Sequence, residues 1–117
     1  MKQTEMLKKN YEFKTVLSKG RFYLGEHLKI VILKNRKKCK LLGIAISTKN
    51  GKAFQRNRMK RLIRESYKIL ENQIEQGYSI VILLRKEIDI NHIKYENIFV
   101  DMKDIFEKAK ILKQQNI

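Results

Sequence analysis

The sequence predicts an α/β (α+β) sandwich in which helices pack on a mostly antiparallel sheet. Three observations predict it. The runs at residues 28–33, 41–47 and 78–84 are aliphatic and β-branched, with the length of strands. Other stretches repeat apolar residues at i, i+3 and i+4, the spacing of one helix face. The order along the chain is helix, strands, helix, strand, helix, which suits helices layered on a sheet. With 117 residues and 43% hydrophobic content, residues 1–117 are read as a single domain with one real core.

Residues 1–9 read as an irregular, flexible basic arm. Asn10 is the expected N-cap of a first helix, with Glu12 in its first turn, where an acid suits the helix dipole. Phe13, Val16 and Leu17 form its apolar side, and Gly20 is its expected stop. Arg21 to Leu24 begin extended structure, interrupted at Gly25. The strand at 28–33 leads into Lys34 to Lys40, five basic residues in seven, read as a charged hairpin loop. The strand at 41–47 follows. A long helix then carries Met59, Leu62, Ile63, Ser66, Leu70 and Ile74 on one side and ends near Gly77. Tyr78 to Leu84 reads as a central strand buried on both faces. A polar connection with Ile88 and Ile90 leads to a final amphipathic helix over His92–Leu112.

Charge is the strongest functional signal. The chain has a net charge of +15, which points to nucleic acid or an anionic membrane. Residues 1–68 hold 20 basic and 4 acidic side chains, while residues 69–117 hold 7 and 8. The anion-binding surface therefore belongs to the first part of the chain. Between Lys49 and Lys68 there are eight basic residues and one acid, Glu65. Asn57, Lys60, Arg61, Arg64 and Lys68 fall opposite the apolar face of the long helix, with Arg58 at its edge. Neighbouring like charges on a helix are destabilising, and Arg56 and Arg58 oppose the positive pole of the dipole. A polyanion supplies the missing charge; a solvated basic face is the bland alternative. Arginine suits bidentate phosphate contacts, which favours nucleic acid.

Other chemistries find little support. No apolar run reaches a membrane span, and Met1-Lys2-Gln3-Thr4-Glu5 does not open a signal peptide. A cytoplasmic protein with no membrane partner is the simplest reading. Cys39 is the only cysteine, so no internal disulfide or cysteine-based zinc site is expected. His27 and His92 lack ligand spacing. A two-metal nuclease needs clustered carboxylates; Glu87, Asp89, Asp101 and Asp104 lie away from the basic run, and the last two read as helix surface. No metal or catalytic residue is expected on this chain.

The run Lys49-Asn50-Gly51-Lys52-Ala53, followed by Arg56-Asn57-Arg58-Met59-Lys60-Arg61-Leu62-Ile63-Arg64-Glu65, resembles the signature of the bacterial ribonuclease P protein subunit. Leu7-Lys8-Lys9-Asn10 with Phe13, Val16 and Gly20 is similar to that family's first helix, and Tyr78 to Arg85 to one of its strands. The resemblance covers nearly the whole chain. It implies an RNA-binding domain that joins a catalytic RNA, which carries the active site and its magnesium ions and cuts the 5′ leader from precursor tRNA. It also implies a left-handed βαβ crossover, against the general right-handed rule. By position, Arg56, Asn57, Arg58, Lys60, Arg61, Arg64 and Lys68 would face the RNA subunit. Phe13, Leu17 and Lys49 would line a leader cleft between the first helix and the sheet. Spacing alone makes Phe13 a core residue more readily than a binding one. Leu17 and Val31 stand where the family often has aromatics. The implied partners are the RNA subunit and precursor tRNA, with no obligate protein partner. The competing function is a structural RNA-binding protein of ribosomal type with no role in cleavage.

Overall fold

The computed structural model describes residues 3–113. Its elements are β1 (Thr4–Met6), α1 (Asn10–Lys19), β2 (Arg21–Leu24), β3 (Leu28–Lys34), β4 (Lys40–Ala45), α2 (Ala53–Leu70), β5 (Tyr78–Leu84) and α3 (Tyr95–Ala109). The five strands form one sheet in the order β1-β4-β5-β3-β2. β5 is the middle strand, antiparallel to β3 and parallel to β4. β2 extends the antiparallel side and β1 the parallel side. Antiparallel register spans more residues than parallel, so the sheet is mostly antiparallel.

Side chains alternate across each strand, and the alternation splits the core in two. Leu28, Ile30 and Ile32 of β3, with Ile80, Ile82 and Leu84 of β5, meet Met59, Ile63, Tyr67, Met102 and Phe106 of α2 and α3. Val31, Leu41 and Val81 point to the other face, where Leu7 and Val16 cover them. The result is three layers, with α1 alone on one side of the sheet. A single ten-residue helix cannot roof five strands. Part of that face is left open.

Several expectations need correcting. The segment at residues 3–9 is not an irregular arm: Thr4–Met6 pairs with Lys40–Leu42, and Leu7 is buried. Residues 1 and 2 lie outside the described residues. The link between β3 and β4 is not a hairpin, because β5 lies between those strands. The last helix starts at Tyr95, three residues later than expected, and ends at Ala109 with Lys110 in the left-handed region. Asp101 is buried rather than on the helix surface. Lys9, not Asn10, caps α1; its backbone N–H donates to Glu12 Oε1 at 3.1 Å. Gly20 ends α1 with an ordinary extended φ of −77°. Space decides that residue, since a Cβ there would stand 2.6 Å from the Val16 carbonyl and 2.7 Å from Val31 Cγ1.

Two buried polar groups fasten the edge strand. Lys40 Nζ donates to Gln3 Oε1 at 2.8 Å and to the Glu71 carbonyl at 2.5 Å. Tyr67, fully buried, shares a hydrogen bond of 2.8 Å with Thr4 Oγ1. Burial pushes the Tyr67 phenol up to about 12. In the unfolded chain it ionises near 10, the ordinary value. Between those values the unfolded state holds fewer protons than the folded one, so stability falls as pH rises. Ultraviolet absorbance of tyrosinate should therefore show one of the five tyrosines titrating late, and Tyr67→Phe should remove that step. The absence of any late-titrating tyrosine would contradict it.

Candidate nucleic-acid interface

α2 begins where β4 ends. Residues 48–50 form a single 3₁₀ turn, with Ser47 Oγ accepting the Lys49 N–H at 3.2 Å. The backbone N–H of Lys52 then donates to Gln55 Oε1 at 2.8 Å, which starts the helix. Met59, Ile63, Ser66, Tyr67 and Leu70 are buried against the sheet and α3. Tyr67 falls outside the apolar spacing of the sequence; its hydroxyl is satisfied by Thr4 of β1.

The cations named from the sequence lie on the other side of the helix. Asn57, Arg61, Arg64 and Lys68 are exposed, and Lys60 is half-buried. Arg56 is half-buried, and its Nε is shielded from solvent with no hydrogen-bond partner. Arg58 is exposed but also donates from Nη2 to the Ile93 carbonyl at 3.0 Å. It thus helps to hold the approach to α3. Among the described residues, Arg85 is the only arginine or lysine in an ion pair, with Glu87 at 3.6 Å. The α2 cations therefore meet no carboxylate at contact distance. That leaves their charge available to an external anion.

The three residues named for a cleft fall on two elements, Phe13 and Leu17 on α1 and Lys49 on the turn after β4. Phe13 is half-buried, and its ring lies over Gly43; a Cβ at Gly43 would stand 2.6 Å from Phe13 Cε1. Leu17, one turn on, is 43% exposed. Beyond them the uncovered sheet face forms a depression of about 310 Å³, lined by Leu24, Lys29, Ala45, Ser47, Asn50, Leu83 and Arg85. Ser47 and Asn50 flank Lys49, so the exposed Lys49 stands at its rim.

Sequence reasoning missed Phe22. It pairs in register with Val31 and so shares the α1 face of the sheet. It is 59% exposed, with Lys29 Nζ 5.2 Å from its ring centroid. An aromatic with a cation over its face is a stacking platform for a base. The alternation of β2 carries the signal: Phe22 and Leu24 fall on one side of an edge strand, opposite the half-buried Tyr23.

A family model described as Ribonuclease P matches residues 1–110. The chain belongs to the ribonuclease P protein family. It is 38% identical over 108 residues to the ribonuclease P protein component of Fusobacterium nucleatum subsp. nucleatum, covering 91% of this chain and 97% of that one. To the ribonuclease P protein component of Natranaerobius thermophilus it is 32% identical over 118 residues, covering 100% and 99%. The fold is similar to that of the Staphylococcus aureus RNase P protein, with a TM-score of 0.81 and 26% identity over 92% of this chain and 97% of that chain. The Thermotoga maritima RNase P protein shares the fold at a TM-score of 0.80 and 24% identity, over 89% and 96%. As a ribonuclease P protein, the chain is a subunit of the tRNA-processing endoribonuclease and works with an RNA subunit.

Proposed function

We propose that the cationic face of α2 binds the RNA subunit and that the open sheet face beside α1 holds the 5′ leader of precursor tRNA. The observation that carries this reading is one juxtaposition. A depression on the open sheet face, next to the Lys29 that lies over the Phe22 ring, and a row of unpaired cations meet at the end of β4. Lys49, on the turn between β4 and α2, stands at the rim of that groove. Single-stranded RNA is held by cations along its backbone and by flat side chains under its bases. Phe13 and Phe22 offer the flat surfaces; Lys29 and Lys49 offer the charge. A protein of ribosomal type that only neutralises charge needs no such groove.

In this reading the bond-breaking chemistry and its magnesium ions belong to the RNA subunit. Among the described residues no three His, Cys, Asp or Glu side chains are placed to hold a metal ion. The protein's part is to hold the leader in position relative to the RNA. A cytoplasmic site of action accompanies this assignment. Among the described residues, no helix is long and apolar enough to cross a membrane.

Precursor tRNA incubated with the reconstituted holoenzyme should be cut, and with the protein alone it should stay intact. Phe22→Ala is the sharper test of the groove. Losing one base-stacking contact costs about 1–3 kcal/mol, or roughly 5- to 150-fold in precursor affinity. Mature tRNA, which has no leader, should bind the holoenzyme as before. Phe13→Ala should show the same selectivity with some loss of stability, because its ring also fills the space over Gly43. Equal losses for precursor and mature tRNA in Phe22→Ala would end the leader assignment.

A further inference from the structure

α1 has a second flank. Opposite the side that carries Phe13 and Leu17, a groove of about 300 Å³ runs between Tyr11 and Thr15 of α1, Leu33 and Leu41 of the sheet, and the β3–β4 link with Arg36 and Lys37. Tyr11 is 64% exposed, with Lys9 Nζ 5.8 Å from its ring centroid. Arg36, Lys37 and Lys38 are exposed, and among the described residues none of them touches a carboxylate.

We propose that this groove binds a single-stranded segment of the RNA subunit, with phosphates on Arg36, Lys37 and Lys38 and one base on the ring of Tyr11. The proposal rests on the reading that this chain works with an RNA subunit. Three features favour it over a solvated loop.

The link is tied at its base, so its cations are held together. Asn35 Nδ2 donates to the Cys39 carbonyl at 3.2 Å and to Ser79 Oγ at 3.1 Å, and Asn35 Oδ1 accepts the Lys37 N–H at 3.1 Å. Asn35 N–H donates to the Gly77 carbonyl at 2.7 Å, and Gly77 N–H to the Cys39 carbonyl at 3.2 Å. Lys38 sits at a φ of 54°, a left-handed conformation that disfavours a side chain. A loop serving only solubility needs neither the ties nor the strain.

The ring of Tyr11 is out of the core and beside the cations. A base reaches it only when unstacked, which selects a single strand over a duplex. Two acids stand nearby. Glu12 lines the groove, but its Oε1 accepts the Lys9 N–H at 3.1 Å; Glu5 shares a neighbouring depression with Lys37.

Position distinguishes the RNA subunit from the leader. The leader groove opens on the other flank of α1, at the end of the sheet where β4 gives way to α2. The second groove lies at the end where β4 begins. A leader seated on Phe22 would have to cross α1 to reach Tyr11.

The chain has no tryptophan, so Tyr11→Trp places a single reporter in the groove. Its fluorescence should be quenched by the RNA subunit and by a short oligouridylate, and far less by an RNA duplex of equal length. Adding Arg36→Ala, Lys37→Ala and Lys38→Ala should abolish quenching by the oligouridylate. The same triple change in the wild-type background should lower the log–log salt slope of RNA-subunit binding by about 2 to 3, at roughly 0.7–0.9 per lost phosphate. Circular dichroism should be unchanged, since all three side chains are exposed. Phe22→Ala should leave the quenching intact. An unquenched reporter with an unchanged slope would overturn the proposal. So would a triple variant that keeps its slope but loses the preference for precursor over mature tRNA, because the groove would then belong to the leader. Failure of the parent reading looks different: changes on α2 would leave the slope untouched, while the oligouridylate would still report on this groove.

Discussion

The combined change Arg61→Ala, Arg64→Ala and Lys68→Ala should weaken binding of the RNA subunit by about 100- to 500-fold at 0.1 M salt. The estimate follows from counterion release. Each lost phosphate contact removes roughly 0.7–0.9 from the log–log salt slope, and the curves converge near 1 M. These three side chains are exposed and make no hydrogen bond to the rest of the described protein, so folding should be unaffected. Arg58 is left out deliberately. Its Nη2 donates to the Ile93 carbonyl, and alanine there would mix a structural loss of about 1 kcal/mol with any loss of RNA contact. Filter binding across a salt series checks the expectation. Unchanged affinity and slope would reduce the α2 face to a solvated surface.

Asp101→Ala should strongly destabilise the fold although it removes no apolar core side chain. The carboxylate sits on α3 and accepts three backbone N–H groups of the β2–β3 turn. Glu26 donates to Oδ1 at 2.9 Å, and His27 and Leu28 donate to Oδ2 at 3.0 and 2.8 Å. Gly25 has no side chain because a Cβ there would run into the same carboxylate. Hydrogen bonds to a charged group are worth about 1.5–3 kcal/mol each when buried. Partial exposure and water reduce the sum, leaving an expected loss of about 3–5 kcal/mol. Urea denaturation should show it as a lower midpoint at an unchanged m-value. Once the RNA subunit is saturated, the folded fraction should still support cleavage at the wild-type rate, because Asp101 is a girder and not an acid–base group. An unfolding free energy within about 1 kcal/mol of wild type would refute this account. A loss of about a hundredfold or more in single-turnover cleavage, the size expected for losing an acid–base group, would refute RNA catalysis instead.

What the sequence made legible followed from periodicity. The alternating and continuous apolar runs located β3, β4 and β5, and helical spacing located α1, α2 and α3. The cationic face of α2 needed only the helical wheel. Pairing was harder to read. β1 is three residues of mixed polarity, and nothing in Thr4-Glu5-Met6 announces a strand; its partner is β4, well along the chain. The β3–β4 link reads as a hairpin to any local rule, since only the later insertion of β5 prevents it. The same limit hid Phe22. Its exposure depends on α1 being too short to cover β2, a fact about the folded layers. Asp101 looked like helix surface because a carboxylate at that spacing usually is; three backbone donors from residues 26–28 make it a buried one.

The central position of β5 also governs how the chain comes together. β5 alone touches both β3 and β4, and it is the last strand in the sequence. Before residues 78–84 are made, the sheet exists only as two separate pairs, β2 with β3 and β1 with β4. Neither has enough covered apolar surface to persist in water. A growing chain therefore carries Leu28–Leu33 and Leu41–Ile46 unsheltered through the whole synthesis of α2. Such segments invite aggregation. Residues 1–68 hold 20 basic side chains against 4 acidic ones, and their mutual repulsion keeps unfinished chains apart. The charge that serves RNA binding in the finished protein thus also guards the nascent one.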